Sequence, residues 1–430
     1  MWNRTIIKCG LILTLATNGH SAIAQQRDNP KQPTRPNIVL ILADDLGYET
    51  VGCNGGASYQ TPAIDRMAAE GMRFNNAYAH PLCTPSRVAL MTGRYNFRNY
   101  TSFGELDKRE KTIGNMLRDA GYKTCIAGKW QLSIGDFKAP FHFGFEEYLL
   151  WNFGQGDFAF RYWDPRFYLN GNLMGDTKGK FGPDIMGDFV ADFIDRHKSE
   201  PFFVYYPLVL PHDPWIEPPG YQRGSGSEDE ERQRKFAAMV AYVDKMVGRV
   251  NDQLNKLGLS EKTLVIFTGD NGTNRGLVSN LKGQIVRGDK GHPTDAGTHV
   301  PLIARWKGVI PAGKIRDDLI DFTDFLPTLS AITNAVTPAG VVIDGKSFAS
   351  QLRGQSGIPR EAIFCHYDPK WGDFKFSRHA QDKRYKLYHD GSFFDYRHDP
   401  QEKSPIATQA LTGERLKAKD KLQRVLDSYK

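Results

Sequence analysis

The segment Asn37–Ala43 (NIVLILA) is an unbroken apolar run that ends directly in Asp44-Asp45. Such a run fits a strand buried on both faces, as in a parallel sheet covered by helices. A second run, Leu264–Thr268, ends in Gly269-Asp270-Asn271-Gly272. Between and around them, strand and helix patterns alternate. Thr61 is placed to cap a helix that begins at Pro62 and stops at Gly71, with Ile64, Met67 and Ala68 as its apolar stripe. Further helices are expected at Thr112–Ala120, Asp184–His197 and Arg232–Leu257, and strands at Lys123–Ala127 and Phe202–Tyr206. Val300–Ala304 as a strand and a helix near Leu319–Ile332 close the pattern. It predicts an α/β fold with a large mixed, mostly parallel sheet sandwiched by helices.

Near residue 358 the texture changes. Phe364–Tyr367, Tyr385–Tyr388 and Ser392–Tyr396 read as short strands, and Glu414–Ser428 as a final helix. Residues 358–430 are therefore expected to form a smaller C-terminal α+β subdomain on a main domain of residues 37–357. Ser225–Glu231 (SGSEDEE) reads as a charged surface loop.

At the other end, Arg4 and Lys8 precede the apolar stretch Leu11–Ala16, and Ala22-Ile23-Ala24 has the form of a signal-peptidase site. Residues 1–24 are thus expected to be a signal peptide and 25–36 a flexible leader. Export to the periplasm or beyond follows. Loss of Arg4 and Lys8 would lower the net charge from +7 to +5. Either value is too small to point to nucleic acid. With 40% hydrophobic and 24% charged residues the chain is not globally disordered. No apolar run reaches the roughly 20 residues of a bilayer span, so no stable membrane insertion is expected. Five cysteines are too few for a disulfide scaffold.

Ligands of open α/β sheets bind outside the carboxyl ends of the strands. Asp44, Asp45, Asp270 and Asn271 would then share one rim. Either pair alone could be loop or capping residues. Together they make an all-oxygen set suited to Ca²⁺ or Mg²⁺, and the carboxylates would repel one another without a cation. A further element, Cys83-Thr84-Pro85-Ser86-Arg87, puts a cysteine at a helix start, where the dipole lowers a thiol pKa and favours an anion. A buried structural cysteine is the plainer reading of that residue alone.

In this order the motifs resemble those of the type I sulfatases of the alkaline-phosphatase-like superfamily. The resemblance is carried by Ala43–Gly47, Thr61–Asn76, Cys83–Arg87 with Thr92-Gly93-Arg94, Gly128-Lys129-Trp130, Pro211-His212, Gly269–Gly272 and Phe394-Asp395-Tyr396. It implies that Cys83 is oxidised to Cα-formylglycine by a separate maturation enzyme, and that residues 37–357 are catalytic. One hydroxyl of the hydrated aldehyde would attack sulfur beside a metal held by Asp44, Asp45, Asp270, Asn271 and the modified Cys83 itself. The other would later expel sulfate. Arg87 would stabilise the hydrate, Lys129 and Lys290 would bind sulfate oxygens, and His212 or Lys290 would protonate the leaving oxygen.

Two positions depart from the family pattern. Gln131 stands where histidine is frequent, and glutamine cannot act as a base at neutral pH. His299 stands where arginine is more usual. The implied substrate is a sulfated carbohydrate. Its contacts are expected from Gln131, His299, Trp215, Arg161 and His366, with an aromatic wall along Leu149–Tyr168. Two alternatives remain open here. One is a formylglycine-dependent phosphodiesterase or phosphonate monoester hydrolase. The other is a glycan-binding protein without activity.

Overall fold

A computed structural model describes Trp2, residues 35–151 and residues 160–429. Apart from Trp2, the signal peptide lies outside the described residues, as do most of the leader and Phe153, Asp157 and Phe158 of the aromatic stretch.

The strands follow the chain as β1 (Asn37–Ala43), β2 (Met72–Tyr78), β3 (Lys123–Lys129), β4 (Glu147–Trp151), β5 (Tyr168–Leu169), β6 (Asn172–Leu173), β7 (Phe202–Pro207), β8 (Thr263–Gly269), β9 (Val278–Leu281), β10 (Gln284–Arg287), β11 (His299–Arg305) and β12 (Lys314–Asp321). Ten of them form one sheet in the order β12-β2-β11-β8-β1-β7-β3-β4-β5-β6, and β9 and β10 pair as a hairpin. Within the large sheet β11 and β5 alone run against the common direction. The sheet is mixed and mostly parallel, as the sequence pattern predicts.

Burial of β1 is complete, and its side chains divide between the two faces. Ile38, Leu40 and Leu42 enter one core; Val39, Ile41 and Ala43 enter the other. The first core is roofed by α2 (Cys83–Thr92), α3 (Ile113–Asp119) and α6 (Phe325–Thr333). The second is roofed by α1 (Pro62–Glu70), α4 (Gly182–Arg196) and α5 (Glu228–Lys256). Full burial of each aliphatic side chain contributes about 1.5–3 kcal/mol. That double cover is why β1 shows no polar alternation.

Three local expectations change. Ser225–Glu231 is not simply a loop: Ser227 accepts from the Glu230 N–H, Glu230 accepts from the Ser227 N–H, and α5 starts at Glu228. This capping box extends the helix one turn upstream of the expected start. Leu319–Asp321 ends β12, and the helix begins only at Phe325. Thr61 stands at the cap position of α1, but Asp244 of α5 does the capping, accepting from Ala63 N–H (3.0 Å) and Ile64 N–H (2.8 Å).

The C-terminal part is a four-stranded antiparallel sheet, β13 (Ile363–Tyr367), β14 (Ser377–Gln381), β15 (Tyr385–Tyr388) and β16 (Phe393–Asp395), with α7 (Gly413–Ser428) packed on it.

Candidate active site

β1, β3, β7 and β8 run parallel side by side, so their carboxyl ends share one rim. Residues following them are drawn together there. The Asp44 N–H donates to Leu210 O beyond β7, the Asp45 N–H to Asp270 Oδ1 beyond β8, and the Asp270 N–H back to Ala43 O. Asp45 takes a left-handed φ of 67°, which turns the chain at the strand end. Thr273 ties the same two loops: its hydroxyl accepts from the Gly47 N–H and donates to buried Glu49. Sequence reasoning passed over Thr273, although it lies two residues beyond a ligand-type asparagine.

Two buried cations, Lys129 and Arg87, and the half-buried Lys290 face the buried carboxylates. The Lys129 ammonium stands 2.8 Å from both oxygens of Asp44. Arg87 donates to Asp270 Oδ2 through Nε (3.1 Å) and Nη2 (2.7 Å), and to Lys129 O through Nη1 (3.0 Å). Lys290 Nζ lies 2.6 Å from Asp45 Oδ2. Burial opposes ionisation of Asp44, but the charges of Lys129, Arg87 and Lys290 together hold its pKa well below the usual carboxylate range. Asp45 is lowered in the same way, against burial, by Lys290 and Lys129. For Asp270, burial and then the neighbouring Asp44 charge win, and push it up to about 7. Three carboxylates thus crowd this rim against three cations of the protein, and Asp270 is the one whose ionisation burial opposes most successfully.

His212 completes the cluster. Among the described residues, Asp44, Asp45 and His212 form a group whose ligand atoms lie within 4.8 Å of one another. His212 Nδ1 is 2.6 Å from Asp213 O, which can only accept, so this nitrogen carries the proton. Nε2 is then the acceptor facing the Lys290 ammonium at 3.1 Å. Burial lowers the His212 pKa and keeps the ring in this neutral form.

Cys83 opens α2 and is buried. The charges acting on it are Lys129, Lys290, Asp270 and Asp44. Here the expectation of a lowered thiol pKa fails, because burial outweighs both lysines and raises it. An unmodified Cys83 is a poor nucleophile in this setting.

Oxygen chemistry fits a hard divalent cation. Asp44, Asp45 and Asp270 supply carboxylates, and buried Asn271 Oδ1 has no hydrogen-bond partner among the described residues, while its Nδ2 donates to Asp45 Oδ1. A buried amide oxygen left bare costs about 1–3 kcal/mol unless something binds it.

The expected substrate contacts divide. Gln131 follows β3 and is buried, with φ 50° and no partner for Oε1 among the described residues. Arg161 is buried with its guanidinium 4.3 Å from the Trp151 ring and Nη1 3.4 Å from His212 Nδ1. His299 is stacked between Tyr48 and Tyr78, at 4.0 and 4.8 Å, and its nitrogens meet Asn75 O and Asp295. Trp215 sits at the edge of the second core, edge-on to Phe236, with its tip facing Gly276. His366 lies on β13, where Arg378 donates to its Nδ1. Within the aromatic stretch, Trp151, Tyr162 and Phe167 are core residues, whereas Phe160 and Trp163 are exposed.

The sulfatase family profile matches residues 36–335, and the C-terminal profile of N-sulphoglucosamine sulphohydrolase matches residues 288–427. Human arylsulfatase A is 34% identical over 368 residues, 77% of this chain and 70% of its own length. Canis lupus familiaris N-acetylgalactosamine-6-sulfatase is 32% identical over 379 residues, 78% of this chain and 69% of its own. A structure solved with its substrate D-glucosamine-2-N,6-O-disulfate superposes with a TM-score of 0.76 over 92% of this chain and 97% of that one, at 23% identity. The chain belongs to the sulfatase family, and it is a sulfuric ester hydrolase.

Proposed function

We propose that the chain hydrolyses sulfate esters of carbohydrates, with Cys83 converted to formylglycine as nucleophile. A divalent cation, Ca²⁺ or Mg²⁺, would be held by Asp44, Asp45, Asp270 and Asn271. One observation carries this reading. Three buried carboxylates and an amide oxygen bare among the described residues meet buried Lys129 and Arg87 and the half-buried Lys290 on one rim, at the start of the helix that Cys83 opens. When bound, the cation supplies positive charge to sulfate oxygens. The hydrated aldehyde supplies two hydroxyls on one carbon, which a serine lacks.

The remaining chemistry belongs to the protein's own side chains. Arg87 fixes Asp270 and the Lys129 carbonyl, so it orients ligand and lysine together. Lys129 and Lys290 offer ammonium groups to sulfate oxygens in a water-poor site, where such contacts are strong. Lys290 carries the proton that His212 Nε2 lacks, which makes Lys290 the donor to the leaving oxygen and His212 its relay. Gln131, buried just beyond β3, cannot take a proton from position 83 at neutral pH.

Carbohydrate enters through the names of the relatives: an N-acetylgalactosamine-6-sulfatase, and a neighbour whose substrate is a sulfated glucosamine. Export through residues 1–24, and a catalytic domain over 37–357 with a subdomain over 358–430, complete the reading. Its test is peptide mass spectrometry on protein made in a maturation-competent host, with sulfate release from sulfated saccharides measured on the same sample. Formylglycine at position 83 and activity that Cys83→Ala abolishes are expected. Full activity with an unmodified cysteine would overturn it.

A further inference from the structure

The loop between β13 and β14 carries an exposed aromatic group that the reading above does not use. Trp371 is 49% exposed, an expensive state for an indole, yet it is held in place. Its ring stacks on Phe103 with centroids 4.5 Å apart and planes within 14°, and lies 5.9 Å from Phe374 at 19°. The loop is also pinned by hydrogen bonds. The Tyr100 hydroxyl donates to Pro369 O (2.8 Å), and Lys370 Nζ to Thr101 O (3.1 Å). Lys370 adopts a left-handed φ of 50° just before the indole.

Both neighbours of Trp371 connect to the segments that build the active site. Phe374 packs so close to Gly291 that a Cβ there would collide with its ring, and Gly291 follows Lys290. Phe103 precedes Gly104, whose N–H donates to Thr84 Oγ1, one residue after Cys83. Phe103 and Phe374 both pack against the small core of Leu82, Cys365 and Tyr367. The shelf thus spans the loop that bears the nucleophile and the loop that bears Lys290.

We propose that Trp371, supported by Phe103 and Phe374, is a specificity-determining residue that receives a pyranose ring of the sulfated carbohydrate. This rests on the carbohydrate sulfatase reading. The C–H face of a pyranose is apolar enough to gain dispersion and lose hydration against an aromatic ring. Its rim hydroxyls need polar neighbours, and Asp368, Lys370, Asp373 and Lys375 surround the indole in sequence. Three rings are too small a patch for a protein partner, whose interface would bury roughly 800 Å² on each side. The size fits one sugar.

The test compares matured wild type, Trp371→Ala and Trp371→Phe on 4-O- and 6-O-sulfated galactose and N-acetylgalactosamine, as monosaccharides and as tetrasaccharides. Nitrophenyl sulfate turnover and inhibition by inorganic sulfate are measured alongside. Trp371→Ala should raise KM on the cleaved saccharide about tenfold with kcat within about twofold, a loss of ground-state binding. Trp371→Phe should recover most of it, and the inhibition constant of inorganic sulfate should not move. An unchanged KM, or a sulfate inhibition constant that rises in step with KM, would overturn the shelf. A wild type that turns over nitrophenyl sulfate and no saccharide would overturn the carbohydrate reading, and the shelf with it.

Discussion

His212 Nε2 faces the Lys290 ammonium at 3.1 Å, with its own proton committed to Asp213 O through Nδ1. The pair therefore holds one mobile proton, and it sits on the lysine. A sugar alkoxide needs that proton on departure, whereas a nitrophenolate does not. Lys290→Met should lower kcat on a sugar sulfate by about 10²–10⁴ and affect nitrophenyl sulfate much less. Steady-state kinetics on both substrates check this. Equal losses on both would leave Lys290 as a charge and nothing more.

Asp270 is the carboxylate that the protein's own cations fail to neutralise fully, since burial and Asp44 push it up to about 7. A divalent ion on this rim should relieve that. Chelation should abolish turnover, and Ca²⁺ or Mg²⁺ should restore it. The ion should also raise the melting temperature, because a ligand at a thousand times its Kd stabilises by about 4 kcal/mol. Calorimetric scans of wild type and Asp270→Ala, with and without the ion, would show the shift in the first only. A full shift in the variant would remove Asp270 from the site.

The first turn of α1 depends on Asp244 rather than on its own Thr61. Asp244→Ala would leave the Ala63 and Ile64 N–H groups without their acceptor, at a cost of about 2–3 kcal/mol. Urea unfolding should show a lower midpoint with an unchanged slope. Loss below about 0.5 kcal/mol would mean that water replaces the carboxylate.

What the sequence made legible here follows from local physics. β1 and β8 were readable because double burial leaves no polar residue in the run, and their terminal Asp and Asn residues needed only the rule that strand ends share a rim. β2 was missed because Asn75 and Asn76 interrupt its apolar pattern, and β14 because Ser377, Arg378, His379 and Gln381 are mostly polar in a buried sheet. Asp244 was invisible as a cap, since it lies 181 residues from Ala63. The His212 tautomer was equally out of reach, because it is set by a backbone carbonyl and a lysine 78 residues away.

His80, three residues before Cys83, is buried with neither ring nitrogen partnered among the described residues. Burial first, and His366 second, hold its pKa down at about 3. An unfolded histidine titrates near 6.5. Between those values the unfolded chain binds a proton that the folded chain refuses, so stability is complete above about 6.5 and falls as the pH drops toward 3. The slope in that window approaches 1.4 kcal/mol per pH unit. His366, at about 4, adds a loss of the same sign over a narrower range. His80→Gln removes one of these protons and leaves the other. Urea midpoints at pH 7.5 and 5.5 should show wild type losing about 1.4 kcal/mol more than the variant over that step. Equal losses would mean that His80 takes up its proton inside the folded protein, and that its burial does not set its charge.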